Sequence, residues 1–218
     1  MNLSFEQWIF FVAGIFILVF FFFFYLYRSS KKRREDLEKF AQSRGLSFSK
    51  EEPHIRGLPS FHLFKQGGFS SFKNVIQGHL DGQDIKFFDY SFEINSGETN
   101  TTQTQTAIVF NVKDKKLPAF ELRPEYFYHK IGALVGYNDI DFQEDPQFSK
   151  KYLLKGKDEG AIRNLFHSQI RNYFLKNEKW CAEGDGQWLI VYKAGKKAKV
   201  DSLPQFLNQT FEIFRLFC

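Results

Sequence analysis

The sequence predicts an α+β protein, with one N-terminal transmembrane helix followed by a soluble domain of antiparallel β-hairpins and about three helices. Two observations predict this class. Residues 8–27 contain no charged side chain. Most of the remaining chain alternates apolar and polar residues with period two between short turns, and a few stretches have helical periodicity. Strands joined by hairpins rather than by helical crossovers form antiparallel sheets, with the helices on one face.

The apolar stretch "WIFFVAGIFILVFFFFFYLY" covers residues 8–27. A helix of this length extends about 30 Å, the thickness of the hydrocarbon core of a bilayer. Trp8 lies at one end and Tyr25 and Tyr27 at the other, where aromatic side chains anchor a span at the interfaces. The stretch is too long for a signal peptide and lacks a small-residue cleavage site. We therefore expect a retained signal anchor, with residues 1–7 as a short extracytoplasmic tail.

Five basic residues follow the span: Arg28, Lys31, Lys32, Arg33 and Arg34. No Lys or Arg precedes it, so the positive-inside rule places the rest of the chain in the cytoplasm. The same five side chains are suited to anionic lipid head groups at the membrane surface. They account for the net charge of +5. The remaining chain is therefore almost neutral and lacks the clustered Lys and Arg with which proteins bind nucleic acid.

We expect residues 28–45 to form a basic juxtamembrane helix, because Leu37, Phe40 and Ala41 have helical spacing. Residues 46–218 then form a cytoplasmic α+β domain. Two cysteines exclude a disulfide framework, in agreement with a cytoplasmic location.

The strongest hairpin signal is Asp81-Gly82, which separates two stretches with period-two alternation. A second hairpin is predicted within "KWCAEGDGQWLIVYK". Each half of the domain has the order short strand, helix, antiparallel strands, helix, which is compatible with an internal pseudo-repeat. Helices are predicted at residues 124–135, 158–176 and 202–217.

The acidic stretch that begins "DIDF" is the first candidate site. On a strand, Asp139 and Asp141 project from the same face, because side chains alternate between faces. Two such carboxylates could bind a divalent metal ion or raise one another's pKa. In the alternative interpretation, Ile140 and Phe142 face the core, the two aspartates face water, and the residues that follow form an exposed turn.

Arg123 and Glu183 are the charged residues expected beside Asp139 and Asp141 in an enzymatic interpretation. The sequence has no histidines at metal-ligand spacing, no phosphate-binding glycine loop and no nucleophile elbow. We therefore predict no catalytic residue, no metal site and no cofactor. Arg123, Glu183, Asp139 and Asp141 stay as candidate binding residues.

Phenylalanine is unusually frequent, at 29 of 218 residues. Outside the span, most phenylalanines occupy periodic positions typical of a packed core. Phe61, Phe64 and Phe69 lie in a glycine-rich segment and could instead line a groove for a partner or an apolar ligand.

Three blocks carry a resemblance: "LPAFELRPE", "DIDFQEDPQFSKKYLLKGKDEGAIRNLF" and "EGDGQWLIVY". Together they resemble a family of bacterial single-pass inner-membrane proteins with an N-terminal anchor and a cytoplasmic domain. The likeness extends over about residues 10–215. It implies a bacterial inner membrane and a single domain. The family has no assigned activity, so the resemblance implies no catalytic residues.

Three functions are compatible with these features. The first is a membrane-anchored interaction or scaffold module that binds another protein at the inner leaflet. The second is a lipid- or small-ligand-binding domain. The third is a metal-dependent membrane-bound enzyme that uses Asp139 and Asp141. The expected partners are the lipid bilayer and a protein at the membrane, and not a nucleic acid.

Overall fold

The computed structural model describes residues 5–95, 100–113, 115–125 and 139–218, and it confirms the α+β class. The strands are β1 (Ser47–Glu52), β2 (Ser70–Leu80), β3 (Gln83–Asn95), β4 (Asn100–Asn111), β5 (Leu117–Pro124), β6 (Tyr152–Gly156), β7 (Trp180–Gly186) and β8 (Trp188–Lys193). The α-helices are α1 (Phe5–Ser43), α2 (Pro146–Lys151), α3 (Glu159–Leu165), α4 (Ser168–Lys176) and α5 (Leu203–Phe217), with short 3-10 helices at His62–Lys65 and Val200–Ser202.

Within the described residues, all eight strands form one antiparallel sheet in the order β1-β2-β3-β4-β8-β7-β5-β6. Both predicted hairpins are present. At the first, Asp81 and Gly82 have φ angles of 48° and 84°, the left-handed values that a two-residue hairpin turn requires. The two halves of the domain differ in strand order, because β1 pairs with β2 whereas β5 lies between β6 and β7.

Residues on both faces of the sheet are buried. The helices cover one face, as predicted, and the segment 53–66 covers the other. Adjacent side chains of one strand are therefore both in the interior, as Phe87 and Phe88 are. A β-strand places successive side chains on opposite faces, so each of these two phenylalanines belongs to a different layer of the core.

Helix α1 is one uninterrupted element of 39 residues that contains both the predicted span and the predicted juxtamembrane helix. Among the described helices, it is the one that is long and apolar enough to cross a membrane. Its last turns enter the core, where Leu37 and Ala41 are 0% exposed. It ends at a left-handed Gly45, and the Leu46 N–H donates to the Ala41 carbonyl at 2.9 Å, as in a Schellman motif.

The single helix predicted at residues 158–176 is wrong, because two helices, α3 and α4, occupy this stretch. The break falls at Phe166, whose ring is fully buried against Phe120 and Phe217. The Phe166 carbonyl accepts a hydrogen bond from Arg171 Nη1 at 2.7 Å. The helix is therefore interrupted at Phe166, where tertiary packing holds the ring and a side-chain donor satisfies the carbonyl group. Residues 126–135 of another predicted helix lie outside the described residues.

Candidate functional site

Arg33 is bound by a buried carboxylate of the sheet. Its Nε and Nη2 donate to the two oxygens of Asp89, each at 2.8 Å. Its Nη1 donates to the Ala198 carbonyl at 2.6 Å. Asp89 is 3% exposed, and it also accepts from Thr106 Oγ1 at 2.6 Å and Asn74 Nδ2 at 2.9 Å. A bidentate, charge-assisted pair of this kind fixes the helix on the sheet in one orientation.

The electrostatics of Asp89 follow from these contacts. Burial by itself raises the pKa of this carboxyl, but hydrogen bonds and charge from Arg33, with hydrogen bonds from Thr106 and Asn74, hold the pKa below its ordinary value. The carboxylate is therefore ionised in the folded protein. Asn74 reaches it from a bulge in β2, where Asn74 has a φ of 52°, a conformation that asparagine tolerates better than most residues.

The prediction that all five basic residues contact lipid head groups therefore needs a correction at Arg33. Its guanidinium is turned toward the sheet, because the buried Asp89 requires a countercharge. Arg28, Lys31 and Lys32 are exposed, and a membrane-surface contact stays a prediction for them and for the half-buried Arg34.

A second ionic cluster lies under the cover segment 53–66. Glu121 of β5 and Glu183 of β7 are directly opposite each other in the sheet. One oxygen of Glu121 lies 3.2 Å from Arg123 Nε and 3.0 Å from His62 Nδ1. Two of the predicted binding residues, Arg123 and Glu183, are thus brought into one buried cluster.

Glu183 connects the cover segment to the sheet. Its carboxyl group accepts from the Leu63 N–H at 3.1 Å and from the Tyr192 hydroxyl at 2.9 Å. Burial, with a further contribution from the negative charge of Glu121, raises the pKa of Glu183 to about 8. The cavity beside this cluster has a volume of about 10 Å³, which is room for about one water molecule. The arrangement therefore closes the cover segment onto the sheet and offers no space for a substrate there.

The strand predicted at "DIDF" is wrong, because residues 139–142 are not part of the sheet. They follow the outer edge of β6, where the Ile140 N–H donates to the Leu154 carbonyl at 2.8 Å. The carboxylate of Asp139 takes the place of a backbone acceptor, receiving the Leu154 N–H at 2.9 Å. Ile140 and Phe142 are buried, as the alternative interpretation of this stretch expected.

Asp139 and Asp141 both lie exposed at this edge. Partial desolvation raises the pKa of Asp139, and the charge of Asp141 raises it further. They do not join the cluster of Arg123 and Glu183, because β5 and β7 lie further inside the sheet than β6. Among the described residues, no group of three or more His, Cys, Asp or Glu side chains could hold a metal ion.

The rest of the acidic stretch has structural contacts. Asp145 caps α2 by accepting the Phe148 N–H at 3.2 Å, and its other oxygen accepts from Arg171 Nε at 3.1 Å. Glu144 lies 3.4 Å from the same guanidinium, which also stacks over the ring of Phe142 at 4.2 Å. These carboxylates thus fix a helix terminus and a sheet edge.

Sequence reasoning missed Asp89, Glu121 and Tyr192. A signal existed for Asp89, because it occupies the same face of its strand as Ile85 and Phe87. An acidic residue at a core position needs a buried partner. Nothing in the local pattern identifies that partner as a residue of the long N-terminal helix α1.

The three phenylalanines proposed for a groove have different environments. Phe61 is buried in the core. Phe64 packs edge-on against Phe72 and Tyr90, at ring distances of 5.2 and 5.3 Å. The rings of Phe64, Phe72 and Tyr90 line one wall of an open groove of about 530 Å³ under residues 53–60. Phe69 is 85% exposed.

Comparisons with known proteins show the fold alone. No protein-family description matches this chain, and no curated protein does. Among solved structures, the crystal structure of the mycobacterial trehalose monomycolate transport factor A, TtfA, is similar, with a TM-score of 0.59. The match covers 84% of this chain and 91% of that chain at 13% sequence identity.

We expect Arg33→Met to destabilise the protein, because it leaves Asp89 buried without its countercharge. Breaking a pair of this kind costs about 3 kcal/mol, which lowers the melting temperature by roughly 6–12 °C in a protein of this size. The measurement is thermal unfolding of the full chain in detergent, followed by tryptophan fluorescence. Lys32→Met is the matched control, because it removes the same charge from an exposed neighbour. Equal melting temperatures for the two variants would contradict the assignment.

We expect Glu183→Gln to flatten the pH dependence of stability. The pKa of Glu183 is raised in the folded state, so folding retains a proton that the unfolded chain releases. The free energy of unfolding therefore falls as pH rises from the ordinary value of 4.5 toward about 8. A neutral glutamine avoids this loss and still accepts from Leu63 and Tyr192. At pH 8.5 the variant should melt about 5 °C above the parent protein, and near pH 5 at the same temperature.

The control for that experiment is Asp185→Asn, an exposed position of the same strand. Parallel melting curves for Glu183→Gln and the parent protein between pH 5 and pH 8.5 would show that Glu183 is ionised in the fold throughout.

Proposed function

We propose that this protein is a membrane-anchored interaction module, which presents its α+β domain to a membrane protein on the cytoplasmic side of a bacterial inner membrane. The observation that carries the proposal is the unbroken path of α1 from its apolar segment into the core. Arg33 is only six positions after Tyr27, a helix rise of about 9 Å. The domain is thereby held close to the bilayer in one orientation, rather than on a flexible linker.

Two further observations support binding rather than catalysis. The buried cluster at Glu183 is closed, and the acidic stretch at Asp139 and Asp141 fixes an edge of the sheet. A rigid tether raises the effective concentration of the domain for a partner in the same membrane without any additional contact. A protein of similar fold is a transport factor for trehalose monomycolate. That likeness favours a role as an accessory protein of a membrane transport or assembly complex.

The test is site-specific photo-crosslinking of the full chain in intact membranes. A photoreactive residue is placed on different surfaces of the domain, at Lys50 on the open edge strand β1, at Lys157 and at Phe69. We expect one surface to give a discrete product with a single membrane protein, and Arg33→Met to abolish that product while the chain stays membrane-inserted. Diffuse products from every surface, or a product unaffected by Arg33→Met, would contradict the proposal.

A second candidate function is the binding of an apolar ligand. The open groove beside Phe64, Phe72 and Tyr90 favours it, as does the transport function of the structural neighbour. The purified full chain should then carry an extractable lipid near one-to-one ratio. Ser60→Trp, which fills the groove, should lower that ratio at least fivefold, whereas Lys116→Trp at a distant position should not. Equal lipid content in both variants would eliminate this candidate.

A further inference from the structure

The direction of α1 identifies which end of the sheet is nearer to the membrane. Arg33, close to the apolar segment, contacts Asp89 of β3. Leu46, just beyond the end of α1, lies against Gly78 of β2, and Gly78 is in register with Ile85 of β3. Between Arg33 and Leu46, the point at which this part of the chain contacts the sheet thus shifts from Asp89 to the level of Ile85. This is a shift of four residues, or about 13 Å, toward the start of β3. Higher residue numbers in β3 therefore point toward the bilayer.

The pairing of the other strands defines the same end across the whole sheet. Ser70, at the start of β2, pairs with Phe92 near the end of β3. β4 is antiparallel to β3 and β8 is antiparallel to β4, so the end of β8 lies at the same end of the sheet as the end of β3. Trp180 pairs with Lys193, so the start of β7 lies beside it. We call this the proximal end, and it consists of the end of β1, the start of β2, the ends of β3 and β8, the starts of β6 and β7, and the turn of residues 194–199.

Lysines are concentrated at the proximal end. They are Lys150 and Lys151 before β6, Lys179 before β7, Lys193 at the end of β8, and Lys196, Lys197 and Lys199 in the turn that follows. The acidic residues described there are Glu51 and Glu52 at the end of β1, Glu93, Glu125, Glu178 and Asp201. Glu51 lies 4.0 Å from Lys73, and Glu178 pairs with Lys151. The opposite end mixes both signs, with Asp81, Asp84 and Asp185 among Lys113, Lys116 and Lys157.

The pKa of Lys193 reflects its burial and the positive charges around it. Burial lowers the pKa of its ammonium group, and the like charges of Lys196 and Lys179 lower it further. Lys196, Lys197 and Lys199 are exposed. Residues 193–199 contain four lysines and no acidic residue.

The turn of residues 194–199 is held beside α1 by the contacts that hold Arg33. The Thr106 N–H donates to the Lys196 carbonyl at 3.0 Å, and the Ala198 N–H donates to Thr106 Oγ1 at 2.9 Å. Arg33 donates to the Ala198 carbonyl. The turn thus lies at the level of Arg33, which is about 9 Å of helix rise beyond Tyr27. That distance is about one Debye length at physiological ionic strength.

Phe69 projects from the proximal end on a second rigid turn. Its carbonyl accepts the Glu93 N–H at 3.0 Å, and the Gly68 N–H donates to the Glu93 carbonyl at 2.9 Å. Gly67 has a φ of 69°, and a Cβ there would lie 2.0 Å from the Glu93 carbonyl oxygen. The turn therefore requires glycine, and it keeps the Phe69 ring 85% exposed. An exposed aromatic ring at the same end of a domain as a group of lysines is typical of a surface that contacts lipid.

We propose that the proximal end is a lipid-binding face. Lys196, Lys197 and Lys199 bind anionic head groups of the bilayer in which α1 is anchored, and Phe69 enters the interfacial region. The inference requires only that α1 crosses a bilayer, whichever partner or ligand the domain binds. It leaves the opposite end and the open edge at β1 as the surfaces that a protein partner can reach.

The test compares the full chain in nanodiscs of phosphatidylcholine with nanodiscs that contain roughly one-third phosphatidylglycerol. The rate of lysine acetylation is measured at each position by mass spectrometry. In anionic discs we expect a slowing of about fivefold for each of Lys196, Lys197 and Lys199, with Lys116 and Lys157 unchanged. The slowing should disappear near 1 M salt, where the Debye length is about 3 Å. Equal rates in the two lipids, or equal slowing at Lys116 and Lys157, would overturn the proposal.

A second experiment tests Phe69 and the lysines together. A spin label is attached at Phe69→Cys in a Cys218→Ser background, and its accessibility to oxygen and to a water-soluble relaxant is measured. We expect the label to be immersed in anionic discs, to leave the interface in Lys196→Gln/Lys197→Gln, and to stay immersed in the matched control Lys116→Gln/Lys157→Gln. A label that is accessible to water in all of these samples would overturn the proposal for Phe69. If the label stays immersed in both double variants, the proposal for the lysines would be overturned.

Discussion

The pair between Arg33 and Asp89 determines how the rest of the structure is arranged. A carboxylate buried in a sheet requires a charged partner with good geometry, and removing that partner is far more costly than losing an exposed ion pair. Here the partner belongs to the helix that contains the apolar segment. The same guanidinium also bonds the Ala198 carbonyl in the turn after β8. Folding of the sheet, docking of the helix and placement of that turn are therefore coupled.

The opposite face of the sheet uses buried charge in a comparable way. Glu183 accepts the Leu63 N–H of the cover segment, and Glu121 pairs with Arg123 and His62. Charged groups on either face thus connect distant segments of the chain. We interpret both clusters as devices that specify one arrangement of the cover segment and of α1, as buried polar groups do in some other proteins. A domain fixed in this way keeps its surfaces in one orientation relative to α1.

The sequence allowed prediction of what depends on local pattern. The apolar segment, the hairpin at Asp81-Gly82 and the antiparallel α+β class all follow from length, turn chemistry and period-two alternation. The rest depends on contacts between distant residues. Helical spacing around Phe166 is regular, and the helix is interrupted by tertiary contacts, namely the aromatic rings packed there and the Arg171 side chain. From the sequence, Arg123 and Glu183 are expected beside Asp139. In the structure they lie with Glu121 instead, because strand order and not sequence distance decides which charged side chains meet.

We infer that Arg33 and Asp89 hold α1 and the sheet together as one rigid body. The most direct measurement is the distance distribution between two spin labels on the full chain in nanodiscs, one at Leu18→Cys in the apolar segment and one at Lys157→Cys on the domain, in a Cys218→Ser background. We expect a single narrow distribution that broadens in Arg33→Met and not in Lys32→Met. A broad distribution in the parent protein, or a narrow one that Arg33→Met leaves unchanged, would contradict the claim.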